Sequence, residues 1–434
     1  MLFVLIFGHV STAQNSQTVT LDKCLQIALE NNFSMQIARN ENEIAKNNYT
    51  KANAGLLPVV DAVAGYAGSL NSSSSENFDE TKTSANFRLG NAASASVNAS
   101  WDIFSGFKAQ SKYAQLKELK EISDLTVRLK VESLITSVAS EYYYLIQQEK
   151  YKNNLEYTLD ISKERLRIVS INYELGSGSK FEVSQARVDF NSDSSALVRQ
   201  KQQIYAAKIR LQTLLGNIKD KIKDKNFVPD SLIRLLPELE YSELLEQSIR
   251  ENTQLMIAAR QINVSEYDIK IMRSNTLPYV RLNSGYGFSY NAYNKGVTKN
   301  SFNTGFDYGV TVGINLYNGN TKREIKNAMI TKKNRELALE ESQLDVEARV
   351  KEIYSSYINN LALIKVERQN LKTAVQNFEI AIERYRLGEL AGISMREAQT
   401  SLREAEKRLL DVEFNAKTDE ISLMALSGNV EKYL

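Results

Sequence analysis

Two rhythms of apolar residues alternate along this chain. Between 21 and 54, Leu21, Leu25, Ala28, Leu29 and Ile37 recur at helical spacing. The stretch 107–173 holds no proline. In it Leu116, Leu119, Ile122, Leu125 and Leu129, then Leu134, Val138, Tyr142 and Leu145, form a seam of coiled-coil type. Gly176-Ser177-Gly178 stops the seam, as glycine does beyond a helix end. A further helix returns from there to Gly216. Between the helical stretches the period drops to two. Val97, Ala99, Trp101 and Ile103 alternate with Asn98, Ser100 and Asp102. Val280, Leu282, Tyr286, Phe288 and Tyr290 oppose Arg281, Asn283, Gly285 and Gly287. Phe306, Tyr308, Val310, Val312, Ile314 and Leu316 oppose Asp307, Gly309, Thr311, Gly313 and Asn315. The strand after Pro58 is weaker and rich in Ala and Gly.

The pattern is written twice. Leu57-Pro58 returns 220 residues later as Leu277-Pro278, together with Asn32 as Asn252 and Gly65-Tyr66 as Gly285-Tyr286. Tyr173-x-Leu175-Gly176 returns 212 residues later as Tyr385-x-Leu387-Gly388, and Gly216 as Gly428. Each half reads helix, strand, strand, very long helix, turn, helix. The second half places its helices at 241–273, 320–387 and 392–427. The expected organisation is a first repeat over 14–216, a linker over 217–240, a second repeat over 241–428 and a tail over 429–434. The repeat argues for one interlocked protomer.

At 1.5 Å per residue the long helix measures ~100 Å, the first helix ~50 Å and the returning helix ~55 Å. The two short helices stacked end to end equal the long one. The alternating segments suit transmembrane β-strands, and they also suit an ordinary half-buried sheet. The polar stretches 71–86 and 291–303 between them, and the leader described next, favour the membrane. Four strands cannot close a barrel, and open edges do not sit in lipid. Three copies bring twelve strands, an even number within the range of such barrels.

Composition narrows the partners. With 54 basic and 52 acidic residues the net charge is +2, which is no nucleic-acid footprint. Met1 to Ala13 reads as a secretory signal peptide without its basic n-region. Leu2 to Phe7 form its apolar core and Ser11-Thr12-Ala13 its cleavage site. The only histidine, His9, lies within it. No run of 18 or more apolar residues follows, so no transmembrane helix is expected. The single cysteine, Cys24, is a lipid site or a buried apolar position, and its place inside a helical pattern favours burial. No nucleophile–base set, Walker A motif or calcium-loop spacing occurs, so neither an enzyme nor a cofactor is expected.

The segment Leu21–Asn32 (LDKCLQIALENN), the two Leu-Pro strand starts, Trp101-Asp102-Ile103-Phe104-Ser105-Gly106 and the two Tyr-x-Leu-Gly turns carry a family likeness. The chain resembles the outer membrane efflux protein (TolC) family over about 20–430. The resemblance implies a mainly α protein with membrane β. Its protomer has four transmembrane β-strands and long α-helical hairpins. A homotrimer forms a 12-stranded barrel in the outer membrane and a 12-helix periplasmic tunnel. The implied function is the passive exit duct of a tripartite efflux pump or type I secretion system in a Gram-negative cell. Its implied partners are a periplasmic adaptor (membrane fusion protein), an inner-membrane pump reached through it, and outer-membrane lipid.

The same resemblance makes Leu175, Gly176 and Ser177, and Leu387, Gly388 and Glu389, the adaptor-contact tips. It assigns Tyr173 and Tyr385 to the gate. The acidic gate position nine residues past each tyrosine is filled by Glu182 and by Ser394, and a further acidic position by Glu397. Five residues past the second tyrosine, where the family often has a basic lock, this chain has the uncharged Leu390, so the usual gate network is partial, with Arg386 and Arg396 as substitute gate cations. Read as residues alone, the tyrosines equally suit helix-end packing and the two glutamates solvated surface. The competing class is a periplasmic adaptor or a structural coiled-coil protein. An adaptor has one hairpin and flanking β-domains, and a coiled coil lacks amphipathic strand pairs.

Overall fold

The computed structural model describes residues 18–216, 228–229, 233–236, 239–295 and 298–430. The leader at 1–13, with His9, lies outside the described residues, as do most of the linker and the last four residues of the tail. The chain forms two compact units. One draws on Met1–Asn40, Leu125–Met256 and Glu341–Leu434, the other on Glu41–Asp124 and Ile257–Glu340. Each sequence repeat contributes to both units, so the units cut across the repeats.

The element order is β1 (Thr18–Val19), α1 (Leu21–Asn31), α2 (Phe33–Asn48), β2 (Val59–Glu76), β3 (Lys82–Ser105), α3 (Lys108–Glu174), α4 (Lys180–Leu214), β4 (Val228–Pro229), α5 (Tyr241–Glu251), α6 (Thr253–Ser274), β5 (Tyr279–Tyr293), β6 (Asn300–Gly313), α7 (Gly319–Arg386) and α8 (Gly392–Leu426). Strands β1 and β4 pair in parallel. The long helices stand where the apolar seam placed them, at 67 and 68 residues.

The first helix of each half departs from expectation. The single helices expected over 21–54 and 241–273 are each broken, at Asn32 and at Asn252. Both residues are extended, with φ −63° and −62°. Each asparagine caps the helix that follows. Asn32 Oδ1 accepts from Met35 N–H, and Asn252 Oδ1 accepts from Gln254 and Leu255 N–H. Each also reaches across the fold. Asn32 Nδ2 donates to Leu214 O at 2.9 Å and Asn252 Nδ2 to Leu426 O at 3.1 Å, the last carbonyls of α4 and α8. Gly216 and Gly428 follow those helix ends with φ near +70° and sit against Asn31 and Glu251, where a side chain would collide. One amide thus satisfies orphan groups of two helices at once. Apolar periodicity runs straight through such a break and does not reveal it.

The core of the first unit gathers α1, α3 and α4. Cys24, Leu25, Ala28, Leu134, Ile135, Val138, Tyr142, Leu145, Ile204 and Leu211 are buried together. Cys24 is fully enclosed, and burial pushes its thiol up to about 12. The second unit holds an antiparallel sheet in the order β2-β3-β5-β6. Its strands are longer than their alternation suggests. The stretch 71–86 is mostly strand, with Asn71 opposite Arg88 and Glu76 opposite Lys82, and only 77–81 turn. Likewise Asn291 pairs with Ser301 and Ala292 with Asn300 inside the second expected loop. Serine, asparagine and alanine have weak strand preference, and the cross-strand ladder carries them. At the other end β6 stops at Gly313, short of Leu316.

Candidate functional site

The sheet separates two chemistries by register. One face carries the rows Ala62–Val97–Tyr286–Phe306, Tyr66–Ala93–Tyr290–Phe302 and Val60–Ala99–Ser284–Tyr308, with Trp101, Leu282 and Val310 in a further row. The large side chains of this face are mostly exposed, Tyr308 80% and Val312 69%, while Leu282 and the small Ala93, Ala99 and Ser284 are half-buried. The opposite face carries Asp61–Asn98–Gly285–Asp307 and Asp102–Arg281–Thr311. There Arg281 Nε donates to Asp102 at 2.6 Å. An aromatic-rich face of this extent without cover is the mark of an interaction surface. Among the described residues no helix is long and apolar enough to cross a membrane.

In the other unit the two helical hairpins end in turns of one backbone design. Gly176 and Gly388 have φ +79° and +77°. Ser177 N–H donates to Asn172 O and Gly176 N–H to Tyr173 O. Glu389 N–H donates to Arg384 O and Gly388 N–H to Tyr385 O in the same pattern. These are the paired carbonyl caps of a glycine-terminated helix. Leu175 and Leu387 project into solvent at both turns, and Phe181 and Ile393 are exposed just beyond them.

Away from the backbone the turns differ. Ser179 caps α4 in a reciprocal box with Glu182. Glu182 N–H donates to Ser179 Oγ at 3.2 Å, and Ser179 N–H donates to the Glu182 carboxylate at 3.0 Å. Tyr173 is exposed. Ala391 begins α8 with no side-chain cap. Tyr385 instead packs on the cluster of Phe378, Ala381, Met395, Ala398 and Leu402, which Leu390 also joins. Burial raises the Tyr385 hydroxyl above its ordinary pKa, and the positive charge of the Arg165 guanidinium beside it pulls it part of the way back. Arg386 is exposed beside Glu383 at 3.8 Å, Ser394 is half-buried in the first turn of α8, and Glu397 is exposed.

Arg396, half-buried, lies at the centre of a charge network built around the buried Asp193. Its Nη1 and Nη2 donate to Asp193 at 2.5 and 2.9 Å, and its Nε lies 3.9 Å from Asp189. Asp193 is 1% exposed; Ser162 Oγ also donates to it, and Arg403 Nη1 approaches to 3.5 Å. The bonds from Asp193 hold the Arg396 pKa above its ordinary value. Arg165 donates to Asp189 at 2.7 Å, while its Nε is buried without a partner. Gln399 Nε2 reaches Thr158 O at 2.9 Å and Ser162 Oγ at 3.2 Å. A cavity of about 470 Å³ bounded by Arg165, Glu182, Asp189, Tyr385, Gly392 and Arg396 adjoins the network. A second of about 190 Å³, which Arg386 also lines, lies against Arg165 and Tyr385. The structure therefore brings Glu182, Tyr385 and Arg396 around one cavity. Tyr173, Ser394 and Glu397 are not among its lining residues.

Arg165, Asp189, Asp193, Gln399 and Arg403 escaped the sequence reading. A signal was present. Asp189 and Asp193 are four residues apart on α4, and Arg396 and Arg403 seven apart on α8, so each pair shares a helix face. Charges scattered along a helix ordinarily face solvent, which hid it.

Comparison with known proteins follows the same outline. A family profile described as outer membrane efflux protein matches residues 24–217 and 244–429, one match per repeat. The chain is 21% identical over 433 residues to the outer membrane efflux protein BepC of Brucella suis biovar 1 (strain 1330), covering 98% of this chain and 89% of that protein. It is 19% identical over 435 residues to the outer membrane protein TolC of Escherichia coli (strain K12), covering 98% and 84%. Among solved structures the Campylobacter jejuni CmeC outer membrane channel superposes with a TM-score of 0.78 at 18% identity, over 94% of this chain and 86% of that one. The outer membrane protein VceC of Vibrio cholerae superposes with 0.76 at 17%, over 94% and 96%.

Proposed function

The chain belongs to the outer membrane efflux protein family, and from that premise we propose that three copies form a passive outer-membrane exit duct. Each copy contributes four strands to a 12-stranded barrel and its long hairpins to a 12-helix periplasmic tunnel. The observation that carries this reading is the sheet. Its register puts tyrosine, phenylalanine, valine and tryptophan on one uncovered face and Asp, Asn, Ser and Gly on the other. Lipid outside and water inside a barrel demand that division. Among the described residues the outer ladder edges of β2 and β6 have no strand beside them. A neighbouring copy supplies the missing partner, because open backbone edges do not persist in lipid.

The hairpin ends form the periplasmic end. Leu175, Gly176 and Ser177, with Leu387, Gly388 and Glu389, meet a periplasmic adaptor, and through it an inner-membrane pump. Tyr173, Glu182, Tyr385, Arg386, Ser394, Arg396 and Glu397 belong to the region that closes the duct. Cross-linking of outer-membrane extracts tests the assembly and is expected to stop at three chains. Arginine scanning tests the sheet. Val310→Arg and Val312→Arg, on the apolar face, are expected to cost ~2–4 kcal/mol near the bilayer midplane. Thr311→Arg, on the polar face, is expected to fold and to alter conductance. Equal damage from both faces would mean a water-soluble sheet.

A further inference from the structure

Two arginines stand on the polar face of the sheet, each beside a tyrosine that lies over a glycine. Where β5 begins, Tyr279 lies over Gly313, at which a Cβ would stand 2.6 Å from the ring, and Arg281 lies 6.0 Å from the ring centre. Where β5 ends, Tyr293 pairs with Gly90, at which a Cβ would stand 3.0 Å from the ring. The Arg88 guanidinium stacks 4.0 Å from the centre of that ring. In both places the missing side chain gives the ring its room against the strand.

The two places differ in charge. Arg281 Nε and Nη2 donate to the Asp102 carboxylate at 2.6 and 3.3 Å, so that pair is neutral. Arg88 pairs with no carboxylate among the described residues, and its Nε is buried without a partner. On the β2–β3 hairpin beside it, Lys82 pairs with Glu76 at 3.3 Å, Asp79 accepts from the Thr81 N–H and hydroxyl, and Glu80 is exposed at the turn. The carboxylates Asp61 and Asp307, in the row of Asn98, stand roughly 34 Å back along the strands. Backbone bonds fix the stack in place. Leu89 N–H donates to Asn294 Oδ1 at 2.7 Å, Asn294 N–H to Leu89 O at 3.1 Å and Tyr293 N–H to Lys299 O at 2.8 Å. A guanidinium positioned on a ring, with its charge uncompensated, offers its in-plane fork to an oxyanion.

We propose that Arg88 stacked on Tyr293 is an oxyanion-binding station at the outer mouth of the lumen, which takes the carboxylate, sulfonate or phosphate group of a solute leaving the duct. It adds a substrate class, anions, to the duct reading, and rests on that reading for which face of the sheet is the lumen and which end is the exit. Three copies ring the mouth with three such cations, and the low-dielectric wall strengthens their field on a passing anion. A lipid phosphate has the same chemistry, but lipid lies against the opposite, apolar face.

Fluorescence anisotropy of pyranine, a pyrene trisulfonate, measures its binding to the full-length protein in a neutral maltoside detergent. Arg88→Gln is expected to raise the Kd about tenfold, the effect of losing one charge-assisted hydrogen bond. Arg88→Lys keeps the charge without the fork and is expected to raise it about threefold. Tyr293→Leu removes the stack and is expected to raise it about threefold. The double variant Asp102→Asn with Arg281→Gln removes the neutral pair and is expected to bind as the wild type does. A wild type that does not bind pyranine, unchanged affinity in Arg88→Gln, or an equal loss in the double variant overturns the station. Where Arg88→Gln does not assemble, Arg88→Lys decides, and wild-type affinity there overturns the proposal. Lipopolysaccharide reconstituted with the protein is expected to leave pyranine bound; displacement would assign Arg88 to a lipid phosphate and overturn a solute site. Cross-linking of the same samples separates this site from the duct. Chains that bind pyranine through Arg88 without forming trimers contradict the duct, and trimers indifferent to Arg88 contradict the station.

Discussion

The two hairpin ends share a backbone and differ in what holds it. Both turns have a glycine near φ +78° and the same pair of carbonyl caps. The first is self-contained, with Ser179 and Glu182 capping each other and Tyr173 in solvent. The second has no side-chain cap and is anchored by Tyr385 in an apolar cluster and Arg396 on Asp193. The halves are complementary here. Asp189 and Asp193 stand where the second half has Ser401 and Ala405, and Arg396 and Arg403 stand where the first half has Ser184 and Asn191. Duplication supplies two equal shapes, and divergent side chains then make one end docked and the other free.

The sharpest way to break this contrast is to remove the anchor. Asp193→Ala leaves Arg396 and Arg403 facing a gap and is expected to cost ~3 kcal/mol. Limited proteolysis should show cleavage rising at 384–396 and staying at the wild-type level at 172–182. Equal loosening of both ends would mean that the first is not self-contained.

Substitutions at the shared backbone should erase the difference instead. Space is open around Gly176 and Gly388, so only the left-handed geometry resists a side chain. Gly176→Ala and Gly388→Ala are each expected to cost ~1 kcal/mol in unfolding measurements, to a similar extent. Gly388→Trp is expected to leave the trimer intact and reduce adaptor capture and export. Unchanged export in both Gly176→Trp and Gly388→Trp would remove the tips as the contact.

Cap exchange should move stability from one end to the other. Ser179→Ala is expected to lose ~1 kcal/mol and to fray α4 at its start. Ala391→Ser is expected to gain a few tenths to ~1 kcal/mol by supplying the cap that α8 lacks. Amide exchange in the first turns of the two helices measures both.

The smallest effect concerns pH. Burial pushes the Glu406 carboxyl of α8 up to about 7 from an ordinary 4.5, and its first-half equivalent is the uncharged Ser194. A raised folded pKa means that the folded state prefers the protonated form. This contribution is full below about 4.5 and is lost as pH rises through about 7. Glu406→Gln is expected to flatten the fall of melting temperature across that window, and Ser194→Ala to leave it unchanged.

Much of this architecture was legible in residues alone. Apolar spacing specified the long helices, because a seam repeating every three to four residues suits no other element. Alternation assigned the two faces of β5 and β6, since register can slip only by moving every side chain to the wrong face. Duplication announced the paired turns, and the Tyr-x-Leu-Gly signature marked both tips. Other features arose only from contacts between distant segments. The breaks at Asn32 and Asn252 depend on carbonyls of Leu214 and Leu426, which are 182 and 174 residues away. The length of β3 depends on ladders to β2 and β5 that outweigh the weak preferences of its Ser, Asn and Ala. The ladder around Asp193 joins residues from α3, α4 and α8 whose charges, helix by helix, read as ordinary surface. Local pattern reports what a segment buries, and a hydrogen bond or ion pair between segments exists only once the fold has chosen which faces meet.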